Sequence, residues 1–292
     1  MRGKRLEGSA MAIQILADSC CDTTKEIVSQ MEMKLIPLCV IAPGGENMMD
    51  DETLDHQRLL AAMRSSAEPA RSACPSVEAY SRQMEAAEEC MVVTLSSRLS
   101  GSFNAARLAM EATLEKFPHK KIRVFDSKSA SAGELRVALF IDQLRKKGLE
   151  FEEITHRTEA FIAQMDTVFL LKDLGNLVKN GRVSKLKGKL TQVLQLYPVL
   201  SDDGNGEIES RHIVRGYKAA MKKFIATIQE LSEKKLSERG TLVLSHCNCA
   251  EVAEELKRAI LEKCSKISDV VLVPTGGIST IYANDGGLVV AF

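Results

Sequence analysis

The chain has 292 residues, and its 39 basic side chains are balanced by 39 acidic ones. That balance excludes a nucleic-acid binder working through a broad basic surface. The length suits one large α/β domain or two ordinary ones, and no apolar run reaches the roughly 18 residues of a membrane span, so no stable membrane insertion is expected. Tryptophan is absent and aromatics make up 4% of residues, so the core must rest on Leu, Ile, Val, Met and Ala.

Residues 1–10 carry charge but no apolar stretch of the secretory kind; they are expected to be a tail, native or added, outside the fold. Ala12–Ala17 then reads as a buried strand ending in the polar turn Asp18–Thr24, which can cap a helix over about Lys25–Met31. Lys34–Ile41 reads as a second strand, Pro43-Gly44-Gly45 as a turn, and Met48–Glu52 as the approach to a helix over about Asp55–Ser65. Arg71–Ser76 reads as a loop, with Ser76 capping the next helix behind Pro75. The apolar run Met91–Leu95 follows, then Ser96-Ser97-Arg98-Leu99-Ser100-Gly101-Ser102, then a helix with Phe103, Ala106, Met110, Leu114 and Phe117 on one stripe. Lys121–Phe125 is another strand, followed by Asp126-Ser127 and a helix over about Glu134–Lys147 that stops at Gly148.

Strands and helices alternate over this half, which predicts a mostly parallel sheet flanked by helices, with ligands outside the carboxyl ends of the strands. The ends at Asp18-Ser19, Ser96-Ser97 and Asp126-Ser127 are expected to converge. A helix over about Glu152–Met165 leads to a second α/β domain. Its strands are expected at Thr167–Leu170, Tyr197–Ser201, Glu207–Ile213, Thr241–His246, Val270–Pro274 and the terminal Gly286–Phe292, and its helices at about Gly216–Glu233 and Ala250–Lys263. The expected domains are 11–165 and 166–292.

Little in the chain points to independent catalysis. Neither a phosphate-binding G-x-x-x-x-G-K-[ST] loop nor a dinucleotide G-x-G-x-x-G occurs, and neither do a G-x-S-x-G elbow and an H-E-x-x-H pair. The five histidines are dispersed, and His246-Cys247-Asn248-Cys249 has no partner cluster to complete a zinc site; no metal is expected. Eight scattered cysteines without a secretory leader read as reduced thiols in a cytoplasmic protein. Asp18 and Asp126 are candidates for an acid/base pair or, more simply, for helix capping; Ser100 and Ser102 are candidates for caps as well. The Ser96–Ser102 turn has a sharper reading. A strand hands over to a helix there, and unpaired N–H groups and the helix dipole suit a carboxylate or phosphate. The locally basic Leu174–Lys187 stretch reads as a solvated helix-turn or a docking patch for an acidic partner.

In their joint order these segments resemble the DegV family of bacterial fatty-acid-binding proteins. The likeness runs from Ile13 to Phe292. It is carried by Asp18-Ser19, Ser72-Ala73-Cys74-Pro75-Ser76, Leu99-Ser100-Gly101-Ser102-Phe103-Asn104-Ala105-Ala106, Val124-Phe125-Asp126-Ser127, Ser131-Ala132-Gly133, Leu177–Ser184, Tyr197-Pro198-Val199-Leu200, Arg215–Ala219 and the Gly-Gly strand at the end. The resemblance implies a two-domain fold holding one long-chain fatty acid in a tunnel between the domains. It implies a carboxylate held by Ser72 and Ser100 near the Gly101 N–H, with Ser97, Asp126 and Ser127 in support. It further implies a monomeric, non-enzymatic lipid-binding subunit that uses no cofactor. A separate ATP-binding kinase subunit would phosphorylate the presented carboxylate, and the acyl phosphate would feed phospholipid synthesis.

Arg182 and Arg215 match positions associated with kinase docking, so reversing either charge is expected to impair acyl-phosphate formation and spare fatty-acid binding. Two departures stand out. Cys74 replaces a Gln of the Pro-Ser loop, and Tyr282 stands near the place of a His close to the carboxylate; a phenol donates a hydrogen bond but brings no charge. The alternative reading is a stand-alone hydrolase or transferase acting on a small lipid or phosphate ester through Asp126, Asp18 and Ser100. Burial is consistent with the lipid: at about 0.8 kcal/mol per CH₂, a palmitate-sized chain supplies roughly 10 kcal/mol gross before binding costs, and the apolar residues of the chain can equally line a tunnel or form ordinary core.

Overall fold

A computed structural model of the chain describes residues 13–183, 195–238 and 240–292. The expected tail over 1–10, Ala12 at the head of the first expected strand, and the Ser184–Lys187 part of the basic stretch lie outside the described residues.

The first half runs β1 (Gln14–Asp18), α1 (Lys25–Gln30), β2 (Lys34–Ile36), β3 (Cys39–Ile41), β4 (Asn47–Met49), α2 (His56–Ser65), β5 (Arg71–Ala73), α3 (Val77–Glu85), β6 (Glu89–Thr94), α4 (Ser102–Lys116), β7 (Lys121–Asp126), α5 (Ala132–Lys146) and α6 (Phe151–Gln164). Side-chain oxygens of Thr24 and Ser76 accept the free N–H groups at the starts of α1 and α3, as the sequence predicts, and Asp55, expected as the first residue of its helix, caps α2 in the same way. Strands β2, β1, β6 and β7 form a parallel sheet in that order. Successive residues of β1 face opposite ways. Ile15 and Ala17 pack with Leu135 and Ala138 of α5, while Leu16 packs with Tyr80 and Met84 of α3 and Ala106 of α4. Helices therefore cover both faces, as the alternation predicts.

Two local expectations need correction. The expected strand Lys34–Ile41 is two strands, because Pro37 has no N–H to continue a ladder. The first piece joins the parallel sheet; the second, β3, pairs antiparallel with β4 and β5 in a separate three-stranded sheet. Met48 and the expected loop residues Arg71–Ala73 are thereby strand residues, with Ser72 paired to Val40.

The second half runs β8 (Thr167–Leu170), α7 (Gly175–Lys179), β9 (Leu196–Asp202), β10 (Ile208–Arg215), α8 (Tyr217–Lys235), β11 (Gly240–His246), α9 (Ala250–Lys263), β12 (Ile267–Pro274), α10 (Gly277–Ala283) and β13 (Leu288–Ala291). Its six-stranded sheet has the order β10-β9-β8-β13-β11-β12; β11 and β12 are parallel and the other neighbours antiparallel. The terminal strand is thus inserted between β8 and β11. Helices α8 and α9 close one face around Phe224, Ile228, Leu256 and Ile260. The other face meets α5, which also packs on β1 and β6. Lying between the two sheets, α5 is buried almost all round, including its charged residues Glu134 and Arg136. The Arg136 guanidinium donates to the Thr241 carbonyl at 2.8 Å and stacks 4.5 Å from the Phe161 ring, which satisfies it there. Among the described residues no helix is long and apolar enough to cross a membrane.

Candidate functional site

The carboxyl ends of β1, β6 and β7 converge, and buried polar bonds hold them. The Asp18 carboxylate accepts from the Cys20 N–H at 3.1 Å, the Leu95 N–H at 3.0 Å and the Ser102 hydroxyl at 2.6 Å. Ser102 is fully buried and in turn lies 2.7 Å from the Tyr80 hydroxyl. Asp18 therefore ties the first strand to the start of α4 and fixes the Ser96–Ser102 turn between them. Burial raises its pKa, and the hydrogen bonds it receives oppose that rise. Asp126 serves a different turn, accepting from the Ser97 N–H at 3.1 Å and the Lys128 N–H at 3.0 Å. Neither caps a helix, as the simpler sequence reading expects: Thr24 and Ser131 stand at the N-caps of α1 and α5, and the two carboxylates hold turns instead.

Above the strand ends, where the resemblance places a tunnel, lies a cavity with about 870 Å³ of space between atoms, part of it open to solvent. Its walls come from the first sheet's loops, from the β8 and β13 face of the second sheet, and from α10. Leu95, Leu99, Phe169, Leu171, Ile208 and Val289 make most of it apolar. Ser72, Ser100 and Tyr282, all half-buried, line it as well. The Ser72 hydroxyl lies 3.0 Å from the Tyr282 hydroxyl. Ser100 is not the N-cap of α4; that is Gly101, whose N-cap position has no side-chain bond, while the Ser100 hydroxyl accepts the Ser102 N–H at 3.2 Å. A hydroxyl that accepts from the backbone keeps its own proton for a ligand.

Tyr282 is placed by α10, and α10 is anchored by two buried carboxylates. Asp50 accepts from Gly277 N–H at 2.6 Å and Ile278 N–H at 3.2 Å, and from the Ser19 hydroxyl at 2.8 Å. Asp22 accepts from Gly276 N–H at 2.8 Å and from the Ser131 hydroxyl. Gly277 must be glycine for this approach, since a Cβ would overlap Leu54 Cδ2 and Asp50 Oδ1. Burial pushes the Asp22 carboxyl up to about 7, against the lowering effect of its hydrogen bonds. Nearby on α5, burial and then the Asp18 charge push the Glu134 carboxyl well above its ordinary value.

The remaining sequence candidates are dispersed. Gly101 and Ser97 are exposed on the turn, and Ser127 is buried, donating to the Ser129 carbonyl at 3.2 Å; none of the three lines the tunnel. Arg182, expected as a docking residue only, does line it, and its Nε donates to the Leu99 carbonyl at 3.1 Å. The reason is α7, a five-residue helix without a readable period, which carries the chain from β8 back across the turn. Arg215 is exposed at the end of β10 and does not line the tunnel. Sequence reasoning missed Asp22, Asp50, Ser129 and Thr167. Among the described residues no group of three or more His, Cys, Asp or Glu side chains is arranged to hold a metal ion.

Comparison with known proteins gives one consistent result. The family model described as "Uncharacterised protein, DegV family" matches residues 12–292. A DegV domain-containing protein of Streptococcus pyogenes serotype M1 is 32% identical over 287 residues, covering 97% of this chain and 99% of that one. The crystal structure of a DegV family protein from Ruminococcus gnavus, described with vaccenic acid, superposes with a TM-score of 0.90 at 34% identity, covering 97% and 100% of the two chains. The Streptococcus pneumoniae Fatty Acid Kinase (Fak) B3 protein loaded with linoleic acid superposes with a TM-score of 0.84 at 31% identity, covering 97% and 99%.

Proposed function

The chain belongs to the DegV family, and from that premise we propose that its tunnel holds one long-chain fatty acid. The carboxylate faces Ser72, Ser100 and Tyr282, with the Gly101 N–H nearby, and the hydrocarbon runs along Leu99, Phe169, Leu171 and Val289. The observation that carries this reading is a cluster of neutral hydroxyl donors in a tunnel that is otherwise largely apolar. Such a site pairs a long buried chain, which supplies the affinity, with a small polar end that orients the head group. Relatives over 30% identical with bound vaccenic and linoleic acids support it.

The same reading makes the chain a carrier rather than an enzyme. It presents the carboxylate to a separate ATP-dependent kinase subunit, which forms the acyl phosphate for phospholipid synthesis. Likeness to the Fak B3 protein and the lack of a phosphate-binding loop support the division of labour. Arg182 and Arg215 are the docking charges, Ser97, Asp126 and Ser127 support the turn, the boundary between the two domains falls near residue 165, and the carrier works as a cytoplasmic monomer.

The test is mass spectrometry of an organic extract of the protein purified from bacterial cells. A fatty acid recovered in about equimolar amount is expected. An empty protein that also fails to take up oleate or palmitate overturns the proposal. Adding a fatty-acid kinase subunit and ATP to the loaded protein then reads the second half, as acyl phosphate formed with both chains and with neither alone.

A further inference from the structure

Strand β8 and the residue after it present alternate side chains, Thr167, Phe169 and Leu171, to the tunnel, a row about 13 Å long. The Leu171 end adjoins the head-group site. Just beyond it Asn176 donates to the Ile281 carbonyl on α10, next to Tyr282, and Arg182 donates to the Leu99 carbonyl, next to Ser100. At the Thr167 end the wall changes character. The Thr167 hydroxyl lies 2.6 Å from the Ser129 hydroxyl. The Asp202 carboxylate accepts the Thr167 N–H at 2.9 Å and the Gly204 N–H at 2.9 Å. The Lys128 amine reaches to 3.5 Å from the Gly204 carbonyl. Behind these groups is a second, polar cavity with about 290 Å³ of space between atoms, reaching Ile162, Met165 and Lys235. Lys128, Thr167 and Asp202 line both cavities.

We propose that Lys128, Ser129, Thr167 and Asp202 form a partition that ends the tunnel and sets the longest acyl chain it accepts. This rests on the fatty-acid reading above. The partition works because its polar groups satisfy one another. Each methylene up to the wall gains by leaving water. A terminal methyl driven past it must separate the Ser129–Thr167 pair and leave buried donors and acceptors unpaired, which costs more than a methylene returns. Affinity therefore rises with chain length, passes a maximum, and falls. Removing a wall side chain joins the two cavities and moves the maximum to longer acids.

The test offers a graded series of saturated fatty acids, lauric to lignoceric, to the wild-type protein, Lys128→Gly and Thr167→Ala, with retained acids quantified by mass spectrometry. Lys128 has φ 53°, in the left-handed region, so glycine removes the side chain without backbone strain. Thr167→Ala leaves the backbone N–H on Asp202 in place. The retained distribution is expected to move to longer acids in both variants, gaining up to about fourfold per methylene newly admitted. An unchanged or shortened distribution in both variants, at wild-type total loading, overturns the partition alone. Wild-type protein that retains no acid overturns the fatty-acid reading itself.

Discussion

The Ser72 hydroxyl stands 3.0 Å from the Tyr282 phenol oxygen, joining residues 210 positions apart. Two hydroxyls in contact spend one proton on each other and keep one for a third group. A carboxylate at the tunnel mouth can take that remaining proton together with the one on Ser100. The proposed head-group site is thus built from neutral donors, with Arg182 lining the same cavity.

Tyr282→Phe removes the phenol and leaves Ser72 as a lone donor. A hydrogen bond to a charged group is worth about 1.5–3 kcal/mol, so fatty-acid affinity is expected to fall by at least about tenfold. Displacement of a fluorescent fatty acid measures this; equal affinity would mean the phenol does not meet the carboxylate. Tyr282→His supplies a cation below a pH of about 6.5. Its affinity relative to wild type should therefore grow as pH falls through that value.

Asp18→Asn tests what holds the turn. The amide keeps one acceptor, but its NH₂ must face either the Cys20 N–H on one side or the Leu95 N–H and the Ser102 hydroxyl on the other. One buried donor is left unsatisfied, at a cost of about 1–3 kcal/mol of stability, readable in urea unfolding. Fatty-acid affinity should drop as well, because the same carboxylate positions the turn carrying Ser100. A variant as stable as wild type would show that the Asp18 bonds are dispensable.

Asp22 predicts a pH dependence. Burial lifts its carboxyl from an ordinary 3.8 to about 7 in the folded chain. Between those values the folded protein binds more proton than the unfolded one, so this group's contribution to stability falls as pH rises through the window, by at most about 1.4 kcal/mol per pH unit. Asp22→Asn removes the titration. Its melting temperature relative to wild type should climb as pH is raised from about 4 to about 7 and level off above. A constant difference across that range would contradict the assignment.

These carboxylates mark where the sequence stops being readable. The Ser96–Ser102 turn was legible because its partners are local: a strand before it, a helix after it, and Ser100 accepting two residues on. Caps at Thr24 and Ser76 were legible for the same reason. Asp22 and Asp50 serve backbone N–H groups 254 and 227 positions away, and a backbone donor leaves no residue-type signature. Thr167 looked like any β-branched strand residue, its role arising only when Ser129 is brought opposite it. The break at Pro37 was in plain view, but a continuous apolar pattern on both sides masked it. Ser72, Ser100 and Tyr282 came from the family resemblance, whereas Arg182 at the tunnel depended on a helix too short to show a period.

Arg182 and Arg215 bear differently on the two halves of the proposed function, and only Arg215 separates them. Arg182 braces the Leu99 carbonyl beside Ser100 and lines the tunnel, so Arg182→Glu removes that brace and brings a negative charge toward the ligand carboxylate. Fatty-acid retention and acyl-phosphate formation should both fall, correcting the simpler expectation that binding would be spared. Arg215 ends β10, about 23 Å along the strand from the tunnel residue Ile208. Arg215→Glu should leave fatty-acid retention intact and slow only the reaction with the kinase subunit. If Arg215 is a steering charge at the rim of that contact, the difference between wild type and variant should shrink as salt is added. Loss of fatty-acid binding in Arg215→Glu would place its role in the fold instead, and unchanged kinase coupling would remove it from the docking surface.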